Sequence, residues 1–338
     1  MSISKETELI IKLKHLPGFG PKTVEVVAKA MIECNLFSDN DIVSYVQECI
    51  KTHYIRLNKE LTPDLFQKAI DEAQRVLDES LNNGVHIISQ YDNLFPIQLK
   101  ELKSYSNNRF KDVAPIVLNY KGDINSINNK KSIAIIGTRH PTIEGEEAGQ
   151  YYGEYFAEKG FNIVSGLALG CDTIAHKAAL SVKNGTTTAI LAHGLHTISP
   201  KAHESIAIEI VEKGGVLLSE YFYGSPAFKT NFVERDRLQA GLAIATIVIQ
   251  TGMKGGTMHA VQTTIDNNKI LAAVFYKDQR VNEMENVCGN SYLIRKGALQ
   301  LREANILYKF LQSGKQLQYK HDYESQLSVS YTHLRAHE

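Results

Sequence analysis

Apolar and polar positions run through three successive rhythms along this 338-residue chain. Up to about residue 80 the apolar positions recur at helical spacing, and Asn82-Asn83-Gly84 interrupts them. Between 85 and 125 the pieces are shorter. Tyr91-Asp92-Asn93-Leu94-Phe95-Pro96 reads as a turn and Ala114–Leu118 as a strand, while the Asn-rich stretch Lys121–Lys131 reads as a loop. From Ser132 onward, compact apolar runs alternate with segments of helical length. Ile133–Ile136 precedes a helix over 142–159, and Phe161–Val164 precedes a helix around Asp172–Leu180. Thr187–Ala192, Gly215–Leu218, Ala243–Ile249 and Ile270–Phe275 read as further strands, and Lys201–Lys213 as a helix. Strand, turn and helix in tandem predict a parallel α/β sheet. The expected fold class is α/β, with an extended, doubly wound, mostly parallel Rossmann-like sheet over 85–310. A small helical module at 1–80 precedes it, and a tail at 311–328 follows.

In such sheets ligands sit at the carboxyl ends of the strands. Three strand ends carry small residues that admit a phosphate to the backbone. They are Gly137-Thr138-Arg139, Ser165-Gly166 and the stretch from Thr251-Gly252 to Gly255-Gly256-Thr257. Arg139 adds a planar cationic fork suited to phosphate. The segment Lys229-Thr230-Asn231-Phe232-Val233-Glu234-Arg235-Asp236-Arg237 interleaves three cations with an aromatic ring. An aromatic that stacks on a base, flanked by cations for phosphates, suits single-stranded nucleic acid. A helix start with a core Phe and solvated charges is the structural alternative.

Composition narrows the partners. Lys+Arg and Asp+Glu both number 37, so a nucleic-acid site needs a local basic patch. Cys34, Cys49, Cys171 and Cys288 are scattered, which argues for a reducing cytoplasm and against a disulfide framework or a zinc ribbon. No signal segment and no apolar run of membrane-spanning length stands out, so a cytoplasmic protein with no membrane partner is expected. Gly137-Thr138-Arg139-His140 is not GxGxxG, so no dinucleotide cofactor is expected. His193, His196 and His203 straddle Gly194 and Pro200 and do not share a helical face, so no metal is expected either. Asp172 and His176, four apart, allow a dyad, but no Ser or Cys nucleophile is placed beside them; a structural role is the expected one.

Near the N-terminus, Leu16-Pro17-Gly18-Phe19-Gly20-Pro21-Lys22-Thr23 resembles the hairpin of a helix-hairpin-helix (or SAM-like) module. Gly18 and Gly20 would permit the turn, and the following helix would offer free N–H groups to a DNA phosphate beside Lys22 and Lys14. These are the weaker DNA-backbone candidates. A hairpin that only packs is the alternative.

Taken together, the motifs resemble those of the DNA-processing protein A family (DprA, also called Smf), over about residues 85–300. The family's GSR reads Gly137-Thr138-Arg139, and its SGxAxGxDxxAH runs from Ser165 to His176. Its SE is Ser219-Glu220, its FxxRNR is Phe232-Val233-Glu234-Arg235-Asp236-Arg237, and its LIxxGA is Leu293–Ala298. The resemblance implies a single-stranded DNA binder that dimerises and loads a RecA-type recombinase during natural transformation. It implies that Arg139, Lys229, Arg235 and Arg237 hold phosphates and that Phe232 stacks on a base. Gly137, Thr138, Ser165, Gly166, Gly256 and Thr257 would supply backbone and small side-chain contacts. No catalytic residue is implied.

Several positions depart from the family pattern. Asp236 replaces the family's Asn, Ser199-Pro200 replaces Tyr-Pro, and Phe275-Tyr276 replaces Pro-Gly. An enzymatic alternative is a nucleoside-phosphate phosphoribohydrolase of the LOG type, whose glycine loop Lys254-Gly255-Gly256-Thr257 resembles distantly. The Pro and Glu of that loop are missing here, and Asp172 is the substitute candidate for the carboxylate. A module that senses a small phosphate ligand is a third reading. Val329–Glu338 resembles translated adapter sequence and is expected to be non-native. Many family members carry a winged-helix domain near that end.

Overall fold

The structure is a computed structural model, and it describes residues 3–58, 60–107, 109–317 and 319. Four helices come first: α1 (Lys5–His15), α2 (Pro21–Glu33), α3 (Asp39–Lys51) and α4 (Pro63–Asn82). Their starts carry the expected stop-and-start chemistry. Ser4 caps α1, Ser38 and Asp41 form a capping box on α3, and Pro21 and Pro63 occupy first helical positions. Leu9, Leu13, Val27, Met31, Ile42 and Phe66 fill the centre of this layer. The same core continues into Ile87 and Val117 beyond the helices. The Thr7 hydroxyl lies 2.7 Å from Ser89 Oγ and 2.5 Å from Asp92 Oδ2. The change of rhythm near residue 80 is therefore a change of element type, and the packing runs across it.

The lead-in contains more structure than its pattern predicts. β1 (His86–Ser89) pairs antiparallel with β4 (Val117–Gly122). β2 (Lys103–Ser106) and β3 (Arg109–Asp112) form a separate two-stranded ribbon. The stretch Lys121–Lys131, expected as a loop, holds the end of β4 and a short helix α5 (Asn125–Asn128). Strands of four residues, such as β1, β2 and β3, are too short to show a period along the chain.

The α/β region then unfolds as expected. It runs β5 (Ser132–Ile136), α6 (Ile143–Glu158), β6 (Asn162–Ser165), α7 (Cys171–Ser181), β7 (Thr186–Leu191), α8 (Glu204–Glu212) and β8 (Val216–Ser219). It continues with α9 (Lys229–Leu242), β9 (Ala245–Val248), α10 (Thr257–Asp266), β10 (Ile270–Val274), α11 (Gln279–Glu283), α12 (Cys288–Arg295), β11 (Leu299–Leu301) and α13 (Ala304–Gln312). The nine-stranded sheet has the order β1-β4-β8-β7-β6-β5-β9-β10-β11, parallel from β8 to β11. Only β4 runs against its neighbours.

Both faces of this sheet are covered, which is why β5 and β10 read as apolar runs rather than as an alternation. Ile133, Ile135 and Ile163 pack toward Phe156, Cys171 and Ala175 of α6 and α7. Ile136 and Val164 point the other way, toward Ala240 and Leu238 of α9. α6 and α7 approach closely because Gly153 has no side chain; a Cβ there would stand 2.5 Å from Ala178 Cβ. The strand order reverses at β5. β6 lies on one side of it and β9 on the other, with Ile136 opposite Val248. Chains leaving β5 and β9 depart in opposite directions and leave a crevice between them, the switch point where such sheets bind ligands.

Candidate nucleic-acid interface

A cleft of about 580 Å³ opens at that switch point. Gly137, Thr138 and Arg139 line it from the end of β5, and Gly252, Lys254, Gly255, Gly256 and Thr257 from the end of β9 and the start of α10. α9 contributes Lys229, Phe232, Val233, Arg235, Asp236 and Gln239, and the turn before α7 contributes Ala168 and Asp172. Arg139, Lys229 and Lys254 are exposed and carry no ion pair among the described residues. Phe232 stands half-buried among them. Lys254 was not among the expected site residues, although its place between Gly252 and Gly255 in the glycine loop was a usable signal.

The two glycine turns behave differently. At Gly137 a Cβ would sit 2.6 Å from Cys171 Sγ, so the turn needs glycine for packing. Thr138 N–H donates to the Gln250 carbonyl at 2.8 Å and its own carbonyl accepts from Cys171 N–H at 3.1 Å. The Thr138 backbone is committed to the scaffold, contrary to the expected backbone contact; its hydroxyl accepts from His140 N–H. At the start of α10 the carbonyls of Gly255 and Gly256 accept from Met258 and His259. Two first-turn N–H groups of that helix are thus taken up locally, and the positive end of its dipole still lies at the cleft.

The third expected turn, Ser165-Gly166, does not line the cleft. Ser165 Oγ donates to the Ile135 carbonyl at 2.7 Å. Gly166 N–H donates to Asp172 Oδ2 at 3.1 Å, and Ala168 N–H to the same oxygen at 3.3 Å. Leu167 adopts φ +57°, an unusual angle for a side chain of its size. Its N–H donates to His176 Nε2 at 3.3 Å and its carbonyl lies 2.8 Å from His203 Nδ1. The Thr187 hydroxyl donates to the Ile163 carbonyl, so His176 Nδ1 must be the donor at 2.7 Å to Thr187, which leaves Nε2 free to accept. Asp172 and His176 therefore form no dyad. Asp172 holds two amides of the turn and His176 the one between them. Burial raises the pKa of Asp172 against the pull of Arg235, and lowers His176 to about 3.

Arg235 and Arg237, expected to hold phosphates, are engaged elsewhere. Arg235 is 4% exposed. Its Nη1 donates to the carbonyls of Gly166 and Ile190, and its Nε to Asp236 Oδ1 at 3.0 Å. It ties α9 to the ends of β6 and β7 beneath the cleft. Arg237 lies outside the cleft and makes a bidentate pair with Glu220, both contacts at 2.6 Å, while Nε donates to Val113 O. Helical geometry could have foreseen this: Arg237 falls about 140° around the helix from Phe232 at 100° per residue. The Ser219-Glu220 pair thus serves as the anchor for Arg237.

The N-terminal hairpin is also placed away from the cleft. Gly18 takes φ +82° and Gly20 precedes α2. Lys22 is exposed and pairs with Glu25 at 3.0 Å. Lys14 lies over the Phe222 ring, 5.1 Å from its centre, and His15 stacks on the same ring at 5.2 Å. Lys14 is thus a docking contact with the segment after β8. The three histidines also have separate partners: His193 the Gly194 carbonyl, His196 the Gly224 N–H, and His203 the Leu167 carbonyl. No cluster of metal-ligating side chains occurs among the described residues.

Residues 86–312 match the profile of DNA recombination-mediator protein A. The chain belongs to that family. Protein Smf of Escherichia coli K12 is 30% identical over 229 residues, covering 68% of this chain and 57% of Smf. DNA processing protein DprA of Bacillus subtilis is 30% identical over 200 residues, covering 59% of this chain and 64% of that protein. The chain spans less than two thirds of the length of these curated relatives. Among solved structures, DNA processing protein A of Streptococcus pneumoniae aligns with TM-score 0.67 at 24% identity, covering 91% of this chain and 98% of that one. The Helicobacter pylori protein, described for its single-stranded DNA binding mode, aligns with TM-score 0.55 at 25% identity, covering 68% and 96%.

The family match begins at residue 86, so the helical module lies outside it. Asp236, at the position of the family's Asn, faces Gly256 across the cleft; its Oδ2 lies 3.5 Å from where a Gly256 Cβ would stand. Burial, with the Asp172 charge adding to it, pushes Asp236 up to about 7 against the pull of Arg235. The segment Val329–Glu338 and most of the tail lie outside the described residues. No helix among the described residues is long and apolar enough to cross a membrane.

Proposed function

We propose that this chain binds single-stranded DNA in the cleft at the C-terminal edge of its sheet. One observation carries the reading: Arg139, Lys229 and Lys254 line one cleft with the half-buried Phe232, and none of the three makes an ion pair among the described residues. Three exposed cations match a phosphate backbone, and an aromatic ring suits an unstacked base. The start of α10, with Gly256 and Thr257, adds an electropositive helix end. In this reading Gly137 and Thr138 shape the cleft, while Ser165, Gly166 and Arg235 hold it in position. Arg237 and the Gly18–Lys22 hairpin contribute no phosphate contact.

The family's recombination-mediator description supports a further step, delivery of the bound strand to a RecA-type recombinase in the cytoplasm during natural transformation. Two copies of the chain would place two clefts on one strand and raise apparent affinity through effective concentration. Residues 85–310 are the binding domain in this scheme and 1–80 a docked module. The chain then needs no catalytic group and no cofactor. The enzymatic alternative loses its candidate carboxylate, because Asp172 is buried and its Oδ2 already accepts two backbone amides.

Fluorescence anisotropy with labelled poly-dT at two salt concentrations tests the site. Wild type should bind with marked salt sensitivity. Arg139→Ala should weaken binding and lower the salt slope by about 0.7. Phe232→Ala should weaken it by about 1–3 kcal/mol. Binding indifferent to both substitutions would place the DNA elsewhere. No binding at all, with a nucleoside monophosphate bound instead, would favour the small-ligand readings.

A further inference from the structure

The ribbon β2–β3 stands outside the main sheet and has no part in the cleft. Its register sets Ser104 opposite Lys111, Tyr105 opposite Phe110 and Ser106 opposite Arg109. Side chains alternate along a strand, so Tyr105 and Phe110 share one face and Arg109 and Lys111 the other. Two strands alone are marginal in water, and this pair is held by α10 and the residue after it. Asp266 Oδ2 accepts Tyr105 N–H at 2.8 Å. Asn267 accepts Lys103 N–H at 2.9 Å and donates to Lys103 O at 2.8 Å. The ribbon is thus fixed to the same helix whose first turn lines the cleft.

What the ribbon presents is an open aromatic ring on one face of β3 and two cations on its other face. Phe110 meets Tyr105 edge to face at 5.1 Å but keeps 54% of its surface exposed. Lys103 and Arg109 are exposed and Lys111 is half-buried, and none of the three has an ion pair among the described residues. From Lys100 to Asp112 there are four cations against two carboxylates, in a chain whose formal charge is zero. One of those carboxylates, Asp112, already accepts Ala114 N–H. A cross-strand aromatic pair alone would be ordinary packing. Packing does not account for the half-open ring or for the unpaired Arg109 and Lys111. α10 has ten residues from Thr257 to Asp266, so the ribbon lies about 15 Å along it from the cleft.

We propose that the β2–β3 ribbon is a second contact for single-stranded nucleic acid and takes up the strand that leaves the cleft. Arg109 and Lys111 hold phosphates, and Phe110 stacks on a base. This rests on the cleft being the first contact, and the test separates the two. Anisotropy is measured with labelled oligo-dT of about 6 and about 20 nucleotides, lengths at and beyond the range of one small binding site. Three proteins are compared: wild type, Arg109→Ala with Lys111→Ala, and Phe110→Ala, with thermal melts to verify that all are folded.

The expected result is unchanged affinity for the short oligomer and about tenfold or greater weakening for the long one. The double variant should also lose about 1.4 from the salt slope, two phosphate contacts' worth for a single strand. Equal affinity of all three proteins for the long oligomer would overturn the ribbon contact and leave the cleft reading intact. Long-oligomer binding that depends on the ribbon, with no short-oligomer binding, would uphold the ribbon and remove the cleft. Wild type binding neither length would end both.

Discussion

Arg235 Nε and Asp236 Oδ1 meet at 3.0 Å, so two residues adjacent in sequence form an ion pair at the base of the cleft. Neighbours on a helix point about 100° apart, and the pair forms because Arg235 turns inward to the carbonyls of Gly166 and Ile190. The pair joins α9 to β6 and β7 and leaves only Asp236 Oδ2 toward the ligand space.

Removing Arg235 should damage the fold before it damages binding. Arg235→Ala leaves two strand-end carbonyls without this donor and Asp236 with only the Gln239 amide on Oδ1, a change that costs on the order of 3–5 kcal/mol for a broken buried pair. Arg139→Ala removes an exposed side chain with no partner and should leave the melting temperature within about a degree or two. Thermal melts of the two variants check this. Equal melting temperatures would mean that Arg235 is a ligand contact after all.

Asp236 should make binding depend on pH. Its carboxyl is raised to about 7, so it is neutral below that and charged above it. A raised acid favours the folded state below its unfolded value, near 4, and that stability is lost as pH climbs through about 7. The same charge repels phosphate. In wild type, affinity for oligo-dT should therefore fall between about pH 6 and 8 and the melting temperature between about pH 4 and 7, and both much less in Asp236→Asn. The Asn variant should bind tighter at pH 8. An identical pH slope in both proteins would remove Asp236 from the account.

His176 should set the acid limit of the turn it supports. It is held neutral, its pKa lowered to about 3 by burial and by His203 and Arg235. The unfolded chain takes up this proton near 6.5 and the folded chain does not, so stability drops as pH falls from there toward about 3. Urea unfolding at pH 7 and pH 5 measures the drop. His176→Gln should be less stable at pH 7, with the Leu167 amide poorly served, and should lose part of that pH dependence.

Phe222 should control how firmly the helical module docks. Its ring receives both Lys14 and His15 at the end of α1. Phe222→Ala should speed amide hydrogen exchange in the last turn of α1 while the exchange of β5 and β9 stays as in wild type. Exchange unchanged throughout would mean that the Thr7–Ser89–Asp92 contacts and the shared core with Ile87 and Val117 suffice to hold the module.

Most of the sheet could be read directly along the chain. β5, β9 and β10 are buried on both faces, so each is a largely apolar run bounded by glycine or polar turns, and burial leaves that mark locally; β7 adds three buried threonines before its apolar end. The two glycine turns that line the cleft were legible for the same reason. The Ser165–His176 motif was legible as a motif but not as a turn clamped from three sides, because its partners Thr187, His203 and Arg235 come from other elements.

The FVERDR segment marks the boundary between the two kinds of knowledge. Its residue types settle that an aromatic and several charges lie on one helix. The helical period already separates Phe232 from Arg237. Whether a guanidinium on that helix meets a phosphate or a carbonyl depends on what stands opposite, and that is Gly166, 69 residues away in sequence. Hydrogen-bond partners at such separation leave no local pattern, so only the assembled sheet could distinguish the exposed cations Arg139, Lys229 and Lys254 from the engaged Arg235 and Arg237.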